Sequence, residues 1–325
     1  MPPRRPNKGR RIRVALTGAT GFSGSFILPQ LLAAGHDVVA LARNPAALAG
    51  KCKNVIAGDL SDEAALAQLV AGADVVLHVG GATAAKSRKE FFEVNLEGTK
   101  RLFLAARRAH VPRFVYVSSL TAREPSLSDY GASKFAAEQY LLPHDDDDFD
   151  VLILRPPAIY GPGDRASLPL FKAALSHTAY FPGRKDGRFS LLYVGDFAKV
   201  MCESVDATAH AIFELDDQTL GYGWGDLVSV ARKHYGTPHR VVHLPHGFVH
   251  VVAGVAEFFA RLRGKLAFPS RQKVAEVYHP DWVAKGWIWP VAKPVNLEQG
   301  MALTVAWYRA QGWLKAAPEK AKGRA

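Results

Sequence analysis

Apolar, often β-branched runs recur through the first half of the chain, at residues 12–17, 38–42, 55–57, 75–79, 114–118 and 151–154. Each has the length of a buried strand. Between them lie longer stretches of helical character, among them 22–34, 63–71 and 91–110. Strand and helix signals in alternation predict an α/β fold built on a doubly wound parallel sheet, with ligands expected at the carboxyl ends of the strands. Pro29 falls inside the first helical stretch, where it removes a hydrogen bond and should kink the helix.

After Arg155-Pro156-Pro157 the alternation weakens and the chain becomes richer in Pro, Gly and aromatic residues. Residues 190–194 and 211–215 still read as strands, so the division expected is a nucleotide-binding domain over 12–165 to which 189–216 returns. A smaller lobe is then assembled from 166–188 and 217–314. Residues 248–260 form the most apolar stretch of that lobe, too short to cross a bilayer and best read as an amphipathic core helix, with a lipid-facing helix or a channel wall as the other readings. His239, His243, His246 and His250 recur at ligand-like spacings, but Pro245 interrupts them and no carboxylate or cysteine completes a set, so no metal is expected. The acidic run 145–148 reads as a solvated loop.

A chain of 325 residues with 48% hydrophobic content can bury a large core. Two cysteines, Cys52 and Cys202, are too few for a disulfide framework, and residues 1–13 are basic with no apolar signal segment, so a cytoplasmic location is the default. The formal charge of +11 would suggest nucleic acid were it not concentrated at the ends. Residues 1–13 and 315–325 hold ten of the 41 basic groups and one of the 30 acidic ones, leaving 31 against 29 in the body. Segments 1–11 and 315–325 therefore read as basic tails. Solvated disorder comes first for them and contact with an anionic membrane surface second; nucleic acid is not expected.

Two motifs carry chemistry. Gly18, Gly21 and Gly24 follow the first strand and open the first helix, as a dinucleotide site requires: the glycines let the backbone approach a pyrophosphate at the helix N-terminus, with Thr20, Phe22 and Ser23 beside it. Downstream, Tyr130 and Lys134 stand four residues apart in a helical stretch and so share a face, where the ammonium would lower the phenol's pKa from about 10 and make it a usable proton donor or acceptor.

In order and context these motifs resemble the extended short-chain dehydrogenase/reductase family of NAD(P)-dependent epimerases, dehydratases and ketone reductases, over about residues 12–215. The resemblance implies a Rossmann-type fold, a C-terminal substrate lobe and compatibility with a homodimer. It implies that Ser119 hydrogen-bonds the reacting oxygen, with Thr121 as fallback, and that Tyr130 transfers the proton. Lys134 would tune Tyr130, and Asn95 would support Lys134 and a water relay. Cofactor contacts are implied for Asp59 and Leu60 after the third strand, Gly80, Gly81 and Ala82 after the fourth, Ser118 after the fifth, and Pro156, Pro157 and Ile159 near the nicotinamide. Asp59 could equally cap a helix. At the end of the second strand, where an acid usually grips an NAD ribose, the chain reads Leu41-Ala42-Arg43-Asn44. Arg43 suits a 2′-phosphate, so NADP(H) is favoured and NAD(H) kept open.

Three departures from the nucleotide-sugar members bear on the substrate. Ala158 stands where they carry Asn, Gly187-Arg188-Phe189-Ser190 lacks their polar pattern, and the gap from Ser119 to Tyr130 is short. Each removes polar contacts, so the expected activity is ketone reduction, or oxidation of a secondary alcohol, on a hydrophobic and lipid-like small molecule such as a ceramide-type ketone. The alternatives are a nucleotide-sugar epimerase or dehydratase and, against the intact Ser119, Tyr130 and Lys134, a non-catalytic nucleotide-binding subunit.

Overall fold

The computed structural model describes residues 11–315 other than 146–147, 208, 210, 264–265 and 268. The basic segments 1–10 and 316–325, the middle of the acidic run and Lys265 lie outside the described residues.

Strands β1 (Arg13–Thr17), β2 (Asp37–Ala42), β3 (Asn54–Ala57), β4 (Val75–His78), β5 (Arg113–Val117) and β6 (Asp150–Arg155) form one sheet with a seventh strand, Ala211–Glu214. From one edge the order is Ala211–Glu214, β6, β5, β4, β1, β2, β3, and every pair is parallel. Order reverses beside β1, which places a crevice between the carboxyl ends of β1 and β4. The sheet is apolar on both faces, as parallel sheets covered by helices must be.

Period-two alternation divides the core. Val14, Leu16, Val75 and Leu77 pack on one side with Ile27, Leu28 and Leu31 of helix α1 (Gly24–Ala33) and with Phe197 and Met201 of the helix Val194–Glu203. Ala15, Val76, Phe114 and Tyr116 pack on the other with Leu66 and Leu69 of α2 (Glu63–Val70). The helical stretch read at 91–110 is three pieces: α3 (Arg88–Phe92), a π turn at Glu93–Glu97 and α4 (Gly98–Arg108). Leu102 and Phe103 of α4 join the second core layer, as do Ala137 and Leu141 of α5 (Asp129–Leu141). Pro29 lies inside α1, which continues past it.

Of the two late strands, Ala211–Glu214 joins the main sheet, whereas Leu191–Tyr193 pairs in parallel with the short strand Ala158–Tyr160 in a separate two-stranded sheet. A third core, including Tyr160, Phe171, Phe181, Tyr222, Leu227, Met301 and Tyr308, joins residues from about 160 onward. The apolar stretch read at 248–260 belongs to the helix His246–Leu262 and differs from expectation: only its inner side is covered, and Phe248, Val251, Phe258 and Phe259 are exposed. Among the described residues, no helix is long and apolar enough to cross a membrane.

Candidate active site

The glycine turn after β1 adopts a conformation that its residue types dictate. Gly18 has a φ of 80°, and a Cβ there would sit 2.7 Å from the backbone nitrogen of Gly80, so the β1 and β4 ends approach at a distance only glycine permits. A Cβ at Gly24 would fall 2.0 Å from the Gly18 carbonyl oxygen, which lets α1 start directly against the turn. Gly21 N–H closes the loop onto that carbonyl at 3.0 Å. Thr20 and Gly21 are exposed, with Phe22 and Ser23 half-buried. At the N-terminus of α1, Ser23 makes no side-chain cap and no acid occupies the first turn, leaving N–H groups and a positive dipole end for an anion.

The β4 end continues the trough. His78 is fully buried: its Nδ1 lies 2.7 Å from Thr17 Oγ1 and its Nε2 2.9 Å from Thr99 Oγ1. Since Gly80 N–H donates to Thr17 and Thr99 donates to the Asn95 carbonyl, a consistent chain puts the ring proton on Nε2. Burial, with the Lys134 charge nearby, pushes His78 down to about 3 and keeps it neutral. Asn95, in the π turn, holds Ala82 by both backbone groups, accepting from its N–H at 2.8 Å and donating to its carbonyl at 3.0 Å. It also donates to Ser133 at 2.9 Å. Its amide thus fixes the 80–82 loop and α5 rather than bonding Lys134, although a Cβ at Gly81 would be 3.0 Å from Asn95 Oδ1 and 3.7 Å from Lys134 Nζ.

Helix α5 starts on a Ser128 cap that accepts from Gly131 N–H at 3.0 Å. Tyr130, Lys134 and Glu138 follow at successive four-residue steps on one face. Lys134 is buried, with Nζ 4.3 Å from the Tyr116 ring centroid. Desolvation pulls its ammonium down to about 7, against the attraction of Glu138. Tyr130 departs from expectation. Although the residue is half-buried, desolvation of its phenol pushes the pKa up to about 12, with Ser119 hydrogen bonding opposing and Glu276 reinforcing the rise. Ser119 Oγ accepts from both Thr121 Oγ1 (2.9 Å) and Thr121 N–H (3.2 Å), freeing its own proton for Tyr130; Thr121 supports Ser119 rather than replacing it.

Ser118 donates to the buried Glu138 carboxylate, which Arg155 holds by two bonds of 2.9 and 2.6 Å. Pro156 is buried with its carbonyl accepting from Leu120 N–H, Pro157 is half-buried, and Ile159 packs at the edge of the first core layer. At the far end of the trough Arg43 is exposed. Asp59, also exposed, accepts from Ser61 N–H and Oγ; those bonds, more than the nearby Arg43 and Arg101, hold its carboxyl below the usual range. Asp62, not Asp59, caps α2. Leu60 packs where a Cβ on Gly98 would clash. Residues from 18 to 24, 43, 59, 80 to 82, 119, 130, 134 and 156 to 159 thus line the carboxyl ends of the strands, and the bare glycine cradle and uncapped helix fit a nicotinamide dinucleotide.

Residues 14–213 match the NAD dependent epimerase/dehydratase family. The chain is also 35% identical over 309 residues to "Ceramide reductase" of Caulobacter vibrioides (strain NA1000 / CB15N), covering 93% of this chain and 96% of that one. The chain belongs to the NAD dependent epimerase/dehydratase family. As such it is an NAD(P)-dependent short-chain dehydrogenase/reductase of the extended type. A "3-beta-hydroxysteroid dehydrogenase" of Mycolicibacterium neoaurum is 31% identical over 212 residues, covering 56% of this chain and 57% of that one. The solved UDP-glucose 4-epimerase of Thermus thermophilus shares the family fold with a TM-score of 0.67 at 22% identity, over 92% of this chain and 99% of that one.

Several residues of this family site escape sequence reading. Glu138 and Arg155 form its buried ion pair, Ser133 is held by Asn95, and Glu276, from the helix Arg271–Tyr278, brings a negative charge near enough to act on Tyr130. The i, i+8 relation of Tyr130 and Glu138 was the available signal for the first; Glu276 had none. Among the described residues, no three His, Cys, Asp or Glu side chains converge on a metal-binding geometry.

The Lys134 value has a measurable consequence. Because it lies below the unfolded value, the buried ammonium costs stability below about pH 7, and that cost is relieved as pH rises toward the unfolded value. A dinucleotide bound beside it should raise the value again, so binding at about pH 8 should take up close to one proton, and at about pH 5.5 almost none. Calorimetry in buffers of different ionisation enthalpy measures this. The uptake should vanish in Lys134→Met, and heats independent of buffer in the wild type would contradict the assignment.

Proposed function

We propose that this enzyme reduces the ketone of a hydrophobic, lipid-like substrate, with NADP(H) as the preferred cofactor. The observation that carries the reading is the Ser119–Tyr130 pair at the glycine cradle, in which Tyr130 is held protonated. The phenol is protonated at neutral pH and so is ready to donate to a developing alkoxide, and the same groups serve the reverse direction.

When bound, the dihydronicotinamide supplies the hydride that reduces the carbonyl carbon. Ser119 donates to the carbonyl oxygen, the Thr121 hydroxyl holding it in place. Tyr130 gives its proton to that oxygen as negative charge develops there. Lys134 then stabilises the phenolate left behind, which explains why an ammonium is kept buried at a cost. Asn95 and Ser133 fix the helix that presents both groups. Gly18 to Gly24 would hold the pyrophosphate, and Asp59 and Leu60 the adenine end. Gly80 to Ala82, Ser118, Pro156, Pro157 and Ile159 would border the nicotinamide half.

The substrate class is supported by the relative named as a ceramide reductase, which runs nearly the length of this chain, and by apolar or small residues at Ala158 and Phe189. Residues 166–188 and 217–314 are the lobe we assign to substrate. A homologous series of keto-substrates tests the reading. Activity should rise with chain length, by up to about 0.8 kcal/mol in kcat/KM for each methylene fully buried, until the pocket is filled. A flat series, or epimerisation of a nucleotide sugar, would replace this reading with that of a nucleotide-sugar enzyme.

Tyr130→Phe should lower turnover by roughly 10²- to 10⁴-fold while leaving NADPH affinity nearly intact, as single-turnover assays and fluorescence titration would register. Undiminished turnover would remove Tyr130 from proton transfer. For cofactor choice, Arg43 is exposed at the β2 end with no acid in the adjoining positions 41–44. Arg43→Ala should weaken NADPH by about 1–3 kcal/mol and change NADH little. Equal losses for the two would exclude Arg43 as the 2′-phosphate contact.

A further inference from the structure

We propose that the outward face of the helix His246–Leu262 docks on an anionic lipid bilayer. Phe248, Val251, Val252, Val255, Phe258, Phe259 and Leu262 recur at three- and one-residue steps and so share one helix face. All are exposed, Val251 at 64%, Phe258 at 61% and Leu262 at 69%. The opposite face is already satisfied: Val249 and Ala253 pack on Val274, Leu244 and Tyr278. A soluble chain rarely leaves so continuous an apolar stripe in water. At about 25 Å long by the helical rise, the helix suits lying in the plane of a bilayer interface with its aromatic side chains among the acyl chains.

Charge selects the occupant. Arg263 at the end of the helix and Arg271 against it are exposed, and Lys273, also exposed, is paired with Glu276 at 2.8 Å. The one acidic residue of the helix, Glu257, accepts from Arg271 N–H at 2.7 Å and lies 3.8 Å from its guanidinium. Lipid phosphates would complement that rim.

The helix is also placed to matter. Arg271–Tyr278, on which it packs, reaches α5 through Gln272, which exchanges two hydrogen bonds with Asp129 next to Tyr130. Asp129 is in turn paired with exposed Arg88 at 2.8 Å, in a segment that also exposes Lys86 and Lys89. Docking would therefore hold the Tyr130 end of the site near the membrane surface. The docking surface is the same whichever carbonyl is reduced.

Flotation of the full chain with phosphatidylcholine vesicles containing phosphatidylglycerol tests this. The comparison is with the triple variant Val251→Asp, Val255→Asp, Phe258→Asp and with Leu303→Asp, an exposed apolar position on another helix. The wild type and Leu303→Asp should float; the triple variant should lose about tenfold or more in vesicle affinity while keeping NADPH affinity within about twofold. The single variants Val255→Asp and Phe258→Asp should each show part of the loss, which preserves the test if the triple variant fails to fold. A wild type that does not float, or variants that float as well as it does through the basic tails alone, would overturn the proposal. So would a dimer that the triple variant converts to a monomer with no change in flotation. NADPH binding reports on folding even if no ketone is ever turned over, so failure of the substrate reading and failure of the docking are separable.

Discussion

A carboxylate with no exposure to solvent persists only where its charge is answered, and Glu138 is answered by the fork of Arg155 and by the Ser118 hydroxyl. The pair joins three elements at the carboxyl edge of the sheet: α5, the β5 end and the β6 end. Losing one partner of such a pair commonly costs about 3–5 kcal/mol, because the other charge is stranded. The rest of the site depends on it, since Tyr130 and Lys134 occupy the same helix face about two turns and one turn before Glu138. Arg155 also approaches Glu214 at 3.6 Å, and Glu214 pairs with Arg123, whose guanidinium donates to the carbonyls of Asp281 and Val283. One charge network thereby links the nucleotide-binding sheet to the chain that follows it.

The same burial sets the chemistry. Desolvation moves the phenol of Tyr130 up and the ammonium of Lys134 down, so each neutral form is favoured before a ligand arrives. In the reaction we propose, such a site has its proton on Tyr130 already and acquires its full positive charge only with an anionic cofactor beside Lys134.

Much of this is legible in the chain because parallel strands covered on both faces leave nearly continuous apolar runs, which is how 12–17, 38–42 and 75–79 announce β1, β2 and β4. The glycine turn is equally visible, since its close approach to β4 admits no other residue. What escapes reading depends on distant neighbours. A glutamate in a helix ordinarily faces water, and nothing local tells that Glu138 meets Arg155 across the sheet. The four-residue step from Tyr130 to Lys134 suggests a lowered phenol pKa, but the sign is decided by desolvation, which spacing does not encode. The helix His246–Leu262 is apolar on both sides, so composition cannot say which side is covered. Residues 190–194 have strand character that their own pattern does not assign to a particular sheet.

The π turn at Glu93–Glu97 constrains how this sequence can change. A π turn holds one residue more than an α turn, and each residue of a helix rotates the next by about 100°. Loss of Leu96 or Glu97 would let α3 and α4 run together as ordinary helix, and the backbone ladder would gain regularity. The two flanking faces would then be out of phase: with Leu102 and Phe103 kept in the core, Asn95 would swing away from Ala82 and Ser133. The extra residue works as a phase shifter between a packing face and a polar clamp, so insertions and deletions should be tolerated in the surrounding loops long before they are tolerated in these five positions.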